Sequence, residues 1–184
     1  MATINTNDLR ISNAKNFASS LGQGSYVFVG RQQPWPSDAS PPTPLNNYKD
    51  YVSTYNQMVS MNRIASTDVF HMIPRLNWTS GGAYDIYRHD YSVNNRSLSG
   101  ASSLLGASWI TINSANKVYA CLGNNQGAAS TVEPQNTGNE PFYTSDGYQW
   151  LFLYGLTADQ LFTYSTNNFL PIITDDTVTT TAGE

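Results

Sequence analysis

The chain has 184 residues, 40% of them apolar, 12% aromatic and only 12% charged, with a net charge of −4. That length supports one ordinary domain with a real core, and twelve Tyr with four Trp exclude a charged disordered segment. The absence of any run of Lys or Arg argues against a nucleic-acid partner, and the single cysteine, Cys121, excludes an intrachain disulfide.

Taken in order, residues 7–21 predict a helix. Asn7 or Asp8 can cap it, Leu9, Phe17 and Leu21 recur near helical spacing, and Gly22 and Gly24 end it. Strong β formers at 25–29 predict a strand. Residues 30–44 carry five of the nine prolines. A proline neither donates to a ladder nor continues a helix, so this stretch reads as a stiff irregular loop. Residues 45–55 predict a second helix, with Tyr48, Tyr51, Val52 and Tyr55 on one face.

β character returns at Val59, and residues 69–73 read as a strand ended by Pro74. Residues 84–91 read as extended and 94–106 as a loop. Residues 109–112 and 117–122 predict a hairpin across a turn at 113–116. A loop at 123–141 precedes the strongest strand, 148–154. A helical turn capped by Thr157, an extended segment at 168–173 and a loose polar tail at 175–184 complete the pass. Strands separated by long loops, without a βαβ rhythm, predict a mainly β fold: an antiparallel β-sandwich with two helix-containing loops, forming a single domain over 1–174. The first ten residues lack a signal-peptide pattern, and no apolar run approaches the roughly 18 residues of a membrane span.

Chemistry-bearing patterns are sparse. His71 lies in an apolar run and reads as a core or interface residue; His89, Asp90 and Asp85 are the nearest approach to a metal cluster but fall short of a ligand set. No nucleophile-elbow or phosphate-loop pattern occurs, and Cys121 reads as a buried thiol. The acids lie mostly in loops and caps, and Asp146 before Gly147 is an ordinary turn signature. No catalytic residue, cofactor or metal is expected.

Four short motifs stand in order: Gly30, Arg31, Gln32, Gln33, Pro34, Trp35; Ile73, Pro74, Arg75, Leu76, Asn77, Trp78; Tyr119, Ala120, Cys121, Leu122; and Asp146, Gly147, Tyr148, Gln149, Trp150. Together they resemble the dimer-forming baseplate wedge subunit of T-even-type contractile-tailed bacteriophages, over nearly the whole chain as far as Pro171. The resemblance implies a β-sandwich with helix-containing loops, homodimerisation, packing against other baseplate wedge and tail proteins, residence in the virion after synthesis in the host cytoplasm, and no enzymatic activity. This chain stops soon after the last motif, whereas the T-even subunit continues, so contacts made by that further segment are not carried over.

Within the motifs, Gly30 can turn the chain at the end of the first strand. Arg31 and Arg75 each precede a Trp closely enough for a guanidinium to lie on an indole. Trp35, Trp78 and Trp150 can each bury a large area but need an N–H partner. With Pro34, Pro74 and Tyr148 these are the candidate structural and interface residues: core pillars that fix loops, or contact points with other proteins. Two rival readings are a receptor- or carbohydrate-binding tail module that uses exposed aromatics, and a tail-associated hydrolase that uses Asp85 or Asp90.

Overall fold

The computed structural model describes residues 7–30, 35–37, 39–40, 42–43, 45–65 and 68–173. The side chains of Asn7 and Asp8, together with Arg31, Pro34 and the tail 175–184, lie outside the described residues. The chain divides into two compact units, Met1–Phe70 and His71–Glu184. The single domain expected over 1–174 has no boundary at residue 70, where the two units meet in the chain.

In the first unit, helix α1 covers Asn7–Leu21 and strand β1 covers Tyr26–Gly30. Gly24, at φ +116°, supplies the backbone conformation that joins them. Helix α2, Tyr48–Asn56, begins three residues later than its periodicity suggests, because Asn47 is the cap: its side chain accepts from Asp50 N at 2.9 Å. Strand β2, Met58–Arg63, pairs antiparallel with β1 in a two-stranded sheet. Gly30 is not a turn. It is the last residue of β1, and a Cβ there would lie 2.3 Å from the Gln57 carbonyl oxygen, so close approach across a β-bulge demands glycine.

The second unit carries strands β3 Met72–Pro74, β4 Ile110–Ile112, β5 Lys117–Asn124, β6 Phe142–Tyr143, β7 Tyr148–Gly155 and β8 Phe169–Pro171, with helix α3 at Ala158–Tyr164. One sheet runs in the order β4-β5-β7-β6, and β3 pairs with β8. The chain is mainly β, and every ladder between these strands is antiparallel. β6 falls between the loop expected at 123–141 and the strand expected at 148–154, where the sequence predicts no element, because two residues are too few to show a period.

The expected hairpin is β4–β5. Its turn is built by Asn113, whose Oδ1 accepts from Ala115 N at 3.0 Å and Lys117 N at 2.8 Å, while Asn116 takes φ 61°. α3 opens with the expected Thr157 cap, completed by Gln160 into a reciprocal capping box.

The strand expected at 69–73 is instead β3, and it includes Pro74. Ile172 N donates to the His71 carbonyl at 2.8 Å, and Arg75 N donates to the Asn168 carbonyl at 2.8 Å. With period two, residues 72 and 74 direct their amide positions away from β8, so proline costs no ladder bond there. Pro171, opposite Met72, sits in the same kind of position. His71 is exposed rather than a core residue.

β5 and β7 are the interior strands, and Val118, Tyr119, Ala120 and Cys121 of β5 are all buried. Consecutive residues face opposite sides of a sheet, so both faces are covered here. Tyr119 and Cys121 join Tyr84, Tyr148 and Trp150 in one cluster; Val118 joins Ile112, Leu156 and Leu170 in another. β-bulges interrupt the β5–β7 register beside Val118 and beside Cys121. The first places Leu153 as an extra residue, which turns Phe152 toward the Tyr119 cluster and Tyr154 toward the Val118 cluster although they lie two apart.

Candidate functional site

Three of the four motifs meet in the second unit. β7 places Tyr148 and Trp150 on one face, where their rings stack at 5.4 Å and 17°. Tyr84 stands edge-on to both, at 6.2 Å from Tyr148 and 5.5 Å from Trp150. Tyr148 and Trp150 are fully buried, and Trp78 packs partly buried against the same cluster. These aromatics act as pillars.

The pillars are wired to the loops. Trp78 Nε1 donates to Ser130 Oγ at 3.1 Å, and that hydroxyl donates to Asp146 Oδ2 at 3.0 Å. The Asp146 carboxylate also accepts from Thr131 N at 2.8 Å, Val132 N at 2.9 Å, Thr144 Oγ1 at 2.5 Å and Tyr148 N at 3.3 Å. Burial alone pushes the Asp146 carboxyl up, but the bonds from Thr144, Val132, Thr131 and Ser130 outweigh it and bring it down to about 2. Tyr148 OH donates to the Ala128 carbonyl, and Ser130 exchanges backbone bonds of 2.7 Å with Gly81 and Gly82. The loop at 123–141 is thereby held at its middle by one carboxylate.

A second carboxylate does similar work. Asp85 is 1% exposed and accepts from Ser99 N at 2.8 Å, Ser99 Oγ at 2.6 Å and Ser108 N at 2.7 Å. Burial raises its carboxyl, and the serine donors overcome that and lower it. Each of these bonds fastens a loop. Asp90 is exposed and pairs with Arg88 at 2.8 Å. The two acids singled out for hydrolysis therefore face different environments. Among the described residues, no three His, Cys, Asp or Glu side chains converge as a metal site would require.

The remaining candidates are scattered. Pro74 ends β3. Arg75 donates to Asn77 Oδ1 at 2.9 Å and to the Thr166 carbonyl at 3.3 Å, so its guanidinium ties β3 to the loop before β8 rather than covering Trp78. Among the described residues, a guanidinium lies on a ring at Arg88 over Tyr91, at 4.9 Å. Trp35 belongs to the first unit and is 42% exposed. Trp150 Nε1 has no protein partner, contrary to the expectation that each indole N–H would find one; nor does Tyr119 OH.

Burial pushes the Cys121 thiol up to about 12, so thiolate is scarce at neutral pH. Native protein is expected to resist thiol reagents and to label fully in denaturant. Rapid native labelling would contradict this placement of Cys121.

The first unit contrasts sharply with the second. None of its described residues is buried. Tyr48, Tyr51 and Tyr55 line the exposed face of α2; Tyr55 meets Tyr51 at 4.8 Å and Phe28 of β1 at 6.1 Å. Val29, Val59 and Met61 are exposed on the two-stranded β1–β2 sheet, and Leu9, Ile11 and Phe17 on α1. Neither a protein-family model nor a curated protein matches the chain.

Sequence reasoning missed the hubs Asp85 and Asp146. Asp146 was read as half of a turn, and nothing local to Asp85 announces donors that stand 14 and 23 residues away.

Proposed function

We propose that this chain is a structural subunit of a contractile phage tail baseplate wedge, acting by homodimerisation and by packing against other wedge and tail proteins. The observation that carries the assembly reading is the first unit: large apolar and aromatic side chains stand exposed on every described element, with no buried residue among them. Apolar surface on that scale marks a protein–protein contact. The four motifs carry the narrower assignment, and three of them supply pillars and loop ties. We take the β3–β8 ribbon and the four-stranded sheet as two layers of a small sandwich, with Leu170 and Ile73 in the same cluster as Ile112 and Val118.

The test is immunogold labelling of intact virions with antibody to this chain, together with its solution mass. Label at the tail base and a dimeric mass support the reading. A monomer absent from tails overturns it, and glycan binding abolished by Trp35→Ala would replace it with the carbohydrate-binding alternative.

A further inference from the structure

The exposed two-stranded β1–β2 sheet has one edge, along β1, that no other described strand covers. In the β1–β2 ladder, Tyr26 pairs with Arg63, Val27 with Asn62, Phe28 with Met61 and Val29 with Ser60. Ile64 N donates to the Ser25 carbonyl at 3.0 Å. That bond sets the alternation: Val27 and Val29 bond inward to β2, while Tyr26 and Phe28 direct their N–H and C=O groups away from it. No other described strand pairs with β1. Natural edges are blunted by charge, proline or cover. β1 reads Tyr-Val-Phe-Val-Gly, without charge or proline, and Tyr26, Val27 and Val29 are each more than half exposed.

We infer that β1 pairs antiparallel with β1 of a second copy across a twofold axis at Phe28, making a four-stranded sheet in the order β2-β1-β1-β2. This rests on the dimerisation proposed above and locates it. The sequence of β1 is complementary to itself in that register. Phe28 stands opposite Phe28 of the second copy, and Tyr26 stands opposite Gly30, where a ring can cover the gap that a missing side chain leaves. On the other face Val27 stands opposite Val29. With no charge in the strand, a twofold partner sets no like charges against each other. The contact extends beyond the ladder, because Phe28 leads into the exposed row of Tyr55 and Tyr51, and β2 adds Val59 and Met61. These side chains supply area toward the roughly 1,200 Å² that specific association needs.

Sedimentation equilibrium on the full chain tests this. Wild type is expected to be a dimer. Phe28→Pro removes an outward donor without touching a β1–β2 bond, and weakens association about tenfold or more. Val27→Lys and Val29→Glu each weaken it. The double variant Val27→Lys/Val29→Glu recovers it, because the introduced lysine of one copy faces the introduced glutamate of the other; a mere folding defect would not recover. Phe28→Cys gives a second readout. Cα atoms about 5.5 Å apart in a hydrogen-bonded pair permit a disulfide, and the native thiol is buried, so oxidation yields covalent dimers. A wild-type dimer indifferent to all these changes overturns the β1 interface and leaves the assembly reading standing. A wild-type monomer overturns both.

Discussion

Trp150→Ala is expected to destabilise the second unit by about 3–5 kcal/mol, the cost of deleting a large buried ring from a packed core. Trp150 is fully buried, stacked on Tyr148 and edge-on to Tyr84, and lies opposite Cys121 across the β5–β7 ladder. Its loss removes ring contacts from two neighbours and opens a cavity in a sheet covered on both faces. Trp150→Phe is expected to cost less, about 1–2 kcal/mol, because it deletes only part of the buried ring system. Phenylalanine keeps an aromatic ring against Tyr148, and the indole N–H has no protein partner to lose. Urea unfolding followed by circular dichroism measures both. Near-equal costs would show that the N–H matters more than the ring; a cost below about 1 kcal/mol for alanine would show that Trp150 is not a pillar.

Asp146→Asn is expected to be nearly as damaging, at about 2–4 kcal/mol, because a neutral amide cannot accept from Ser130, Thr131, Val132 and Thr144 together. The pH dependence follows from the same bonds. The folded carboxyl titrates at about 2, below its ordinary value of 3.8. Its contribution is therefore fully present above about pH 4 and is lost as pH falls through about 2. Asp85 and Asp90 are shifted in the same direction, so the Asp146 share is the difference between wild type and Asp146→Asn. Unfolding midpoints measured from pH 6 to pH 2 should converge for the two proteins at the acid end. Parallel curves across the whole range would show that the carboxylate does not hold the loop.

The elements that were legible in the sequence carry local signals. α1 was read at its full extent, the β4–β5 hairpin follows its turn residues, and α3 follows Thr157. Of the tryptophans that the sequence offers as core pillars or contact points, Trp78 and Trp150 pack in the core cluster, whereas Trp35 is 42% exposed. Arg75 was misplaced. Nearness in sequence to Trp78 suggested an indole, yet its guanidinium reaches a carbonyl 91 residues away.

The sequence by itself determined the β-rich character, the Thr157 cap, the turn at 113–116 and the aromatic row on α2, since each depends on residues within a few positions of one another. Only the tertiary structure decided that β5 is covered on both faces, that a bulge at Leu153 sends Phe152 and Tyr154 to opposite clusters, and that Asp85 and Asp146 hold distant loops. It also decided which apolar faces are buried. The tyrosines of α2 and the valines of β1 have the pattern of core residues, yet they stand exposed. A hydrophobic period shows that a face must meet something apolar; whether that is the same chain or another is set by the packing of elements far apart in sequence.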